Sequence, residues 1–439
     1  MNIVLLSGGS GKRLWPLSND VRSKQFIKFF DDGNGNRETM VQRMYHMIRK
    51  VDSDANVTIA TSKSQISELK NQLGDDINIS MEPCRRDTFP AIALAVSYLH
   101  DVQHVDENES VVICPVDPYV EEDYFQALKR LSELAQKGEA NLTLMGIEPT
   151  YPSEKYGYII PESKDSVSKV SLFKEKPSVE VAKTYIAQGG LWNAGIFAFK
   201  IGYLLNKVEE ILGHKDYSWL FANYANLQKI SFDYAVVEKE KSIDVMRFGG
   251  LWSDLGSWNT LTDTLGENSN IGNALASEDC KHDHIVNELD IPILCVGVSD
   301  VIVAASPEGI LVTNRDGSAR IKPYVEKLDT PVMYAEKSWG EYKVIDANED
   351  SLTIKVTLMK GHQMSYHSHE RRNEVWTIVS GNGTTVIDGM VQHVHPGDVV
   401  SIDAGVRHTI IAESDKLVLI EVQLGKDIDK KDKKKYVLA

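Results

Sequence analysis

The sequence predicts an α/β protein: a mostly parallel sheet wrapped by helices, then a small β-rich segment, then a small β-barrel. Three observations carry this. Short apolar runs alternate with helix-length segments over the first part of the chain; after about residue 265 the pattern changes to short strands separated by Asn, Asp and Gly turns; and beyond "KSWGEY" apolar and polar residues alternate strictly.

Taken in order, "NIVLLS" (2–7), "NVTIAT" (56–61), "SVVICPVD" (110–117) and "NLTLMGIE" (141–148) read as buried strands. Between them, "FPAIALAVSYLHDV" carries Pro90 in its first turn, and "YFQALKRLSELAQKG" places Phe125, Leu128, Leu131, Leu134 and Ala135 on one face before Gly138 stops it. Both are expected helices. The middle section, with "IPILCVGV", "VIVAAS", "GILVTN" and "ARIKPYV", reads as all-β and coil-like in its winding. In the last section Leu352, Ile354, Val356 and Leu358 alternate with Thr353, Lys355 and Thr357, and "EVWTIVSG", "TTVID", "DVVSID" and "KLVLIEVQ" follow as strands. The tail "KDIDKKDKKKYVLA" is a mixed charge run, expected to be a frayed, solvated end.

Bulk properties bound the function. The chain has 439 residues, 42% of them hydrophobic, enough for ordinary globular cores. A net charge of −15 argues against a general affinity for nucleic acid or anionic membrane, so any phosphate site must be built locally. No apolar run approaches the ~20 residues needed to span a bilayer. Cys84, Cys114, Cys280 and Cys295 form no CxxC pair, and Met1 leads directly into a strand without a basic leader, so the expected compartment is the cytoplasm.

The first strand empties into "SGGSGKRLWPL". Gly8, Gly9 and Gly11 let backbone N–H groups turn toward an anion, and Lys12 and Arg13 add positive charge. The loop lacks the GK[ST] ending of an ATPase P-loop and the spacing of the dinucleotide fingerprint. In the barrel section, "GHQMSYHSHERRNEVWTIVSG" (361–381) sets His367 and His369 on one face of a strand, brings Glu374 back across a turn, and leaves His408 on a later strand as the fourth member of a metal cage. A His/carboxylate set suits Zn, Mn, Fe, Ni or Co.

"LLSGGSGKRLWPLSNDVRSKQF" resembles the signature of sugar-1-phosphate nucleotidyltransferases, specifically the mannose-1-phosphate guanylyltransferases. "EPCRRDTFPAIALA", "YGYI", "FKEKPSVEVAKTYIAQGGLWNAGIFAF", "SFDYAVVEK" and "WSDLGSW" are similar to that family's blocks, in its order. The spacing Gly361, His367-x-His369, Glu374, Gly381 is similar to the first cupin pattern, and "WGEYKVID" and "RRNEVW" resemble the type II phosphomannose isomerase domain commonly fused behind this guanylyltransferase.

The resemblance implies a Rossmann-like nucleotidyltransferase domain over 1–265, a β-helix-like segment over 266–334, a cupin over 335–425 and the charged tail over 426–439. It implies attack of mannose 1-phosphate on the α-phosphorus of GTP. Asp117 and Asp254 would hold Mg²⁺, Arg13 would clamp the β- and γ-phosphates, and Lys24 and Lys176 would hold the reacting phosphates. Gly157, Glu175, Asn193 and Asp233 would meet the sugar, and Glu82, Arg86 and Thr88 the base and ribose. For the cupin it implies exchange between mannose 6-phosphate and fructose 6-phosphate through a proton moved between C1 and C2. A homodimer is compatible with it.

The chain departs from the family at "PVDPY", where Ser-Asp-His is common, and at Lys12. In the second cupin pattern the departures are Asp403 and Ala412; from the isomerases the chain departs at Thr409, where arginine is common, at His367, where glutamine is usual, and in its lysine-rich C-terminal segment. Two alternatives stay open: a nucleotidyltransferase for another sugar phosphate or nucleotide with a non-catalytic cupin, and a regulatory homologue that binds a nucleotide sugar without making it.

Overall fold

The computed structural model describes residues 1–9, 12–19, 21–328, 332–426, 428 and 430–438, with backbone alone at Lys12 and Lys430. It divides into two compact units. One comprises Met1–Gly11, Ser23–Ile66 and Leu73–Gly266; the other comprises Lys12–Arg22, Ser67–Gln72 and Glu267–Ala439.

The first unit is built on a nine-stranded sheet. Asn78–Glu82, Asn56–Ser62, Asn2–Leu6 and Ser110–Pro115 lie side by side and parallel; Asn78–Glu82 is the partly exposed edge, and the other three are largely buried on both faces. Beyond them the sheet is mixed, because Leu191–Lys200 runs antiparallel between Ser110–Pro115 and Leu142–Ile147. The helix Thr88–Asp101 is apolar on nearly every side and correspondingly buried from Phe89 to Ser97. The helix Glu122–Lys137 buries only one stripe, including Phe125, Leu128, Leu131 and Ala135, and ends at Gly138. A short antiparallel pair, Pro118–Val120 with Trp252–Asp254, sets Asp254 opposite Pro118. Asp117, which follows the strand Ser110–Pro115 at its carboxyl end, is thereby brought beside Asp254.

In the second unit, Ser269–Gly272, His284–Asn287 and Val301–Ser306 stack in parallel, each one turn of winding after the last. Asn287 braces the turn by donating to the carbonyls of Asn273 and Ile291, both at 2.8 Å. The expected strand in "ARIKPYV" is corrected. Two helical turns, Arg315–Ser318 and Lys322–Val325, occupy this region instead. Asn314 caps the first by accepting from the Gly317 amide, and Pro323, lacking an N–H, suits the start of the second better than a ladder.

The barrel joins a six-stranded and a five-stranded sheet around Trp376, Ile378, Leu417 and Leu419. The frayed-tail expectation is also corrected. Lys433–Lys435 is a strand paired antiparallel with His367–His369, and Tyr436 continues it by donating its amide to the Tyr366 carbonyl at 2.9 Å. Asp432 accepts from the amides of Glu370 and Arg371 at 3.1 and 3.2 Å. Without this pairing the strand His367–His369 would leave backbone groups unpaired on that side, and covering them outweighs the solvation of a lysine-rich segment.

Candidate active site and metal centre

In the first unit, Lys24 is the hub. Its Nζ lies 2.8 Å from Asp117 Oδ2 and 3.7 Å from Asp254 Oδ1, and donates to the Leu255 carbonyl at 3.3 Å. The lysine is buried while both carboxylates remain partly exposed to a cavity of about 210 Å³. Asp117, Asp254, Asn193, Asp233, Tyr156 and Trp252 face that cavity, with Thr88 at its edge. Two partly exposed carboxylates flanking one space offer the hard oxygen donors that suit Mg²⁺.

Asn193 reaches the cavity because its strand loses register between Asn193 and Phe197, where Gly195 takes φ +73°. Its Nδ2 donates to Asp233 Oδ1 at 2.6 Å, and its Oδ1 accepts from the Gly195 amide at 3.2 Å. Burial, reinforced by the charge of Glu175, pushes the Asp233 carboxyl up to about 6. Gly157 pairs with Asn193 across the sheet, and a Cβ there would sit 2.5 Å from Glu175 Oε2. That oxygen is buried with no hydrogen-bond partner, whereas Oε1 takes the Lys176 ammonium at 2.5 Å. Although burial opposes its charge, the bond and attraction to Glu175 hold the Lys176 pKa above its ordinary value. Lys176 adopts φ +43°, a left-handed conformation uncommon outside glycine.

The other predicted positions are more scattered. Gly8 approaches Glu82, which is buried, accepts from the Tyr224 hydroxyl at 2.8 Å and has its pKa raised by burial. Gly9 is open. Thr88 Oγ1 accepts from the Phe232 amide at 2.8 Å, and Arg86 donates to the Ala225 carbonyl. Arg13 is exposed in a short turn within the segment that groups with the second unit. Gly11 and the Lys12 side chain lie outside the described residues. The sequence reading missed Tyr156 and Trp252. Their rings meet at 5.6 Å, and the Trp252 indole N–H is buried with no hydrogen-bond partner. The available signal was Trp252 two positions before Asp254, which on a strand shares its face.

In the barrel, one ligand atom from each of His367, His369, Glu374 and His408 falls within 4.8 Å of the others. All four residues are buried. Nδ1 of His367 lies 2.5 Å from the Ser365 carbonyl and Nδ1 of His408 lies 2.9 Å from that of Val406. A carbonyl only accepts, so in both rings Nδ1 carries the proton and Nε2 presents a lone pair. His369 Nε2 faces Arg372 Nη2 at 2.8 Å and Glu374 Oε1 at 3.2 Å, while His408 Nε2 lies 3.4 Å from Glu374 Oε2. The Arg372 guanidinium answers part of this set, donating also to Glu374 Oε1 at 3.0 Å, and four ligand atoms so gathered suit a divalent metal ion.

Burial is the main cause that lowers the pKa of His367 to about 2 and of His369 to about 4. Both rings are therefore neutral at physiological pH, the form in which imidazole can bind a metal. Glu374, despite burial, is held below its ordinary value, with the Arg372 guanidinium at 3.0 Å among the causes.

Two barrel residues were also missed. Glu421 is buried, accepts from Gln423 Nε2 at 2.5 Å, and is raised to about 8 by burial and then by Glu374. Lys433 arrives on the tail strand beside His369. For Glu421 a signal existed: it continues the buried alternation of Leu417 and Leu419, so a carboxyl stands on a core-facing position.

A Rossmann-like sheet with Asp117 at a strand's carboxyl end and Asp254 brought beside it by a short strand pair, followed by a barrel with a His₃Glu cluster, defines a nucleotidyltransferase joined to a cupin. The chain belongs to the nucleotidyl transferase family, whose model matches residues 2–269, and the cupin domain model matches residues 354–422. It is 29% identical to mannose-1-phosphate guanylyltransferase ManC of Salmonella typhimurium, over 98% of this chain and 96% of that protein. It is also 29% identical to a putative mannose-1-phosphate guanylyltransferase of Vibrio cholerae, over 98% of both chains. A crystal structure titled mannose-1-phosphate geranyltransferase, from Thermus thermophilus, covers 75% of this chain and 99% of its own, at 27% identity and a TM-score of 0.64.

Proposed function

We propose that this protein acts in the cytoplasm, transferring a guanylyl group from GTP to mannose 1-phosphate to give GDP-mannose and pyrophosphate. The observation that carries the reading is the pair Asp117 and Asp254, joined by the buried Lys24 and lining one cavity with Asn193 and Asp233. The whole-chain likeness to the guanylyltransferases supplies the substrates.

A phosphate oxygen of the sugar attacks the α-phosphorus, and the bond to the bridging oxygen of the β-phosphate breaks as pyrophosphate leaves. Mg²⁺ held by Asp117 and Asp254 would neutralise charge between the phosphates. Lys24 balances the two carboxylates and reaches the reacting phosphate. Asn193 and Asp233 orient the hexose, and the unpartnered Glu175 Oε2 accepts from a hydroxyl. Lys176, tied to Glu175, stands toward the sugar phosphate, and Arg13 takes the departing pyrophosphate. Gly8, Gly9, Glu82, Arg86 and Thr88 serve the nucleoside side, with the Trp252 N–H as an added donor. Incubation with each nucleoside triphosphate plus mannose 1-phosphate tests this: pyrophosphate appears with GTP, and no turnover with GTP sinks it.

For the cupin the reading is mannose 6-phosphate/fructose 6-phosphate isomerisation at His367, His369, Glu374 and His408, with Zn, Mn, Fe, Ni or Co as the metal. The specific support is the buried Glu421 beside the cluster, a carboxyl held near neutral pH as proton exchange between C1 and C2 needs. Metal analysis together with an interconversion assay tests it, and a metal-loaded chain without interconversion refutes it.

A further inference from the structure

The barrel encloses a cavity of about 680 Å³. His367 and Arg372 line it, and Trp339, Tyr342 and Ile354 are among its apolar lining. Two further cations reach it from the segment that sequence alone assigns to solvent. In the antiparallel register Lys433 lies opposite His369 and Lys435 opposite His367. Directly opposed residues project from the same face, and successive residues from alternate faces. Lys433 and Lys435 therefore share the face of the two histidines, and both line the cavity. Lys434 takes the other face, near the Tyr436 ring at 5.7 Å.

The strand is fixed at both ends. Asp432 is bound to the Glu370 and Arg371 amides, and the Tyr436 hydroxyl lies 3.2 Å from Ser368 Oγ under the Arg407 guanidinium. This anchoring holds Lys433, Lys435 and Arg372 around one space that the buried Glu421 also lines. Three cations face one carboxyl from the lining and the Glu374 carboxylate behind it, so the positive groups exceed what these neighbouring carboxylates can balance, and such a space favours an anion.

We propose that Lys433 and Lys435 form an oxyanion clamp, delivered by the C-terminal strand, for the phosphate of a phosphorylated sugar whose hydroxyl and carbonyl oxygens face the His₃Glu cluster. The sugar as ligand rests on the cupin reading above; the anion clamp itself does not. Apolar walls complement the C–H faces of a hexose, while two flexible ammonium groups suit the tetrahedral distribution of phosphate oxygens.

The test uses the metal-loaded full chain. Titration calorimetry with mannose 6-phosphate, mannose and inorganic phosphate is paired with metal analysis, for the unaltered chain and for Lys433→Ala/Lys435→Ala, Lys433→Arg and Lys434→Ala. The double variant is expected to bind mannose 6-phosphate and phosphate at least about tenfold more weakly, with metal content unchanged. Lys433→Arg should restore part of the affinity, Lys434→Ala should behave as the unaltered chain, and guanylyl transfer should persist throughout. Equal affinity in the double variant, loss of metal along with affinity, or no binding of either phosphate compound by the unaltered chain overturns the clamp. Lysine-dependent phosphate binding without isomerisation would uphold the clamp and refute the isomerase reading.

Discussion

At the scale of the residue, Asp233 makes the sharpest pH prediction. Its carboxyl is raised from 3.8 to about 6, first by burial and then by Glu175. The folded chain thus holds this proton more tightly than the unfolded one. Its stabilising contribution is present below about pH 4 and is lost as pH rises through about 6. Asp233→Asn should therefore raise the melting temperature, relative to the parent, more at pH 8 than at pH 5. Because only the carboxylate can accept from Asn193 without competing as a donor, kcat/KM for mannose 1-phosphate should rise through about pH 6, and this limb should vanish in Asp233→Asn. Gly157→Ala belongs to the same scale. Its Cβ would overlap Glu175 Oε2 at 2.5 Å, so Glu175 must move. The cost should be about 1–3 kcal/mol in denaturant unfolding, with a higher KM for the sugar phosphate.

At the scale of the element, the tail strand was the largest surprise. Composition marked Lys430, Lys431, Lys433, Lys434 and Lys435 as a solvated charge run, because composition does not register an open strand edge elsewhere in the chain. The pairing Ser368↔Lys434 is a long-range fact, invisible to local pattern. Deleting the chain after Gly425 should uncover the backbone of His367–His369 and weaken metal retention roughly 10–100-fold, as loss of support around a metal site commonly does. Dialysis against a chelator followed by metal analysis checks this, and unchanged retention would contradict it. The misread "ARIKPYV" has a more local cause. Pro323 was read as part of a β run, although its missing N–H and fixed φ suit a helical turn.

At the scale of the whole molecule, the alternation of apolar runs with helix-length segments made the first unit legible, and the period-two alternation from Leu352 to Leu358 did the same for the barrel. His367, His369 and Glu374 were legible because HxH and the returning glutamate are close in sequence, and His408 because a later strand of the barrel had to supply the fourth member. The carboxylate pair was not: Asp117 and Asp254 meet only through the short pairing of Pro118–Val120 with Trp252–Asp254, and it was the resemblance of their blocks that singled them out. Tyr156 and Trp252 were passed over because aromatic residues more often mark a core than a cavity wall.

The division into two compact units carries its own prediction. A chelator selective for transition metals should lower the melting temperature of the second unit, since a ligand bound only to the folded state stabilises it. It should leave pyrophosphate release in excess Mg²⁺ unchanged, as calorimetry and a coupled assay would record.

The most direct measurement is pyrophosphate release from GTP and mannose 1-phosphate by the unaltered chain and by Lys24→Met, Asp117→Asn and Asp254→Asn, each confirmed as folded. The account predicts Mg²⁺-dependent release that falls by about 10²-fold or more in every variant, because each removes a charge aimed at the reacting phosphates. Release at the parental rate in Asp254→Asn, or turnover with another nucleoside triphosphate and none with GTP, would contradict it.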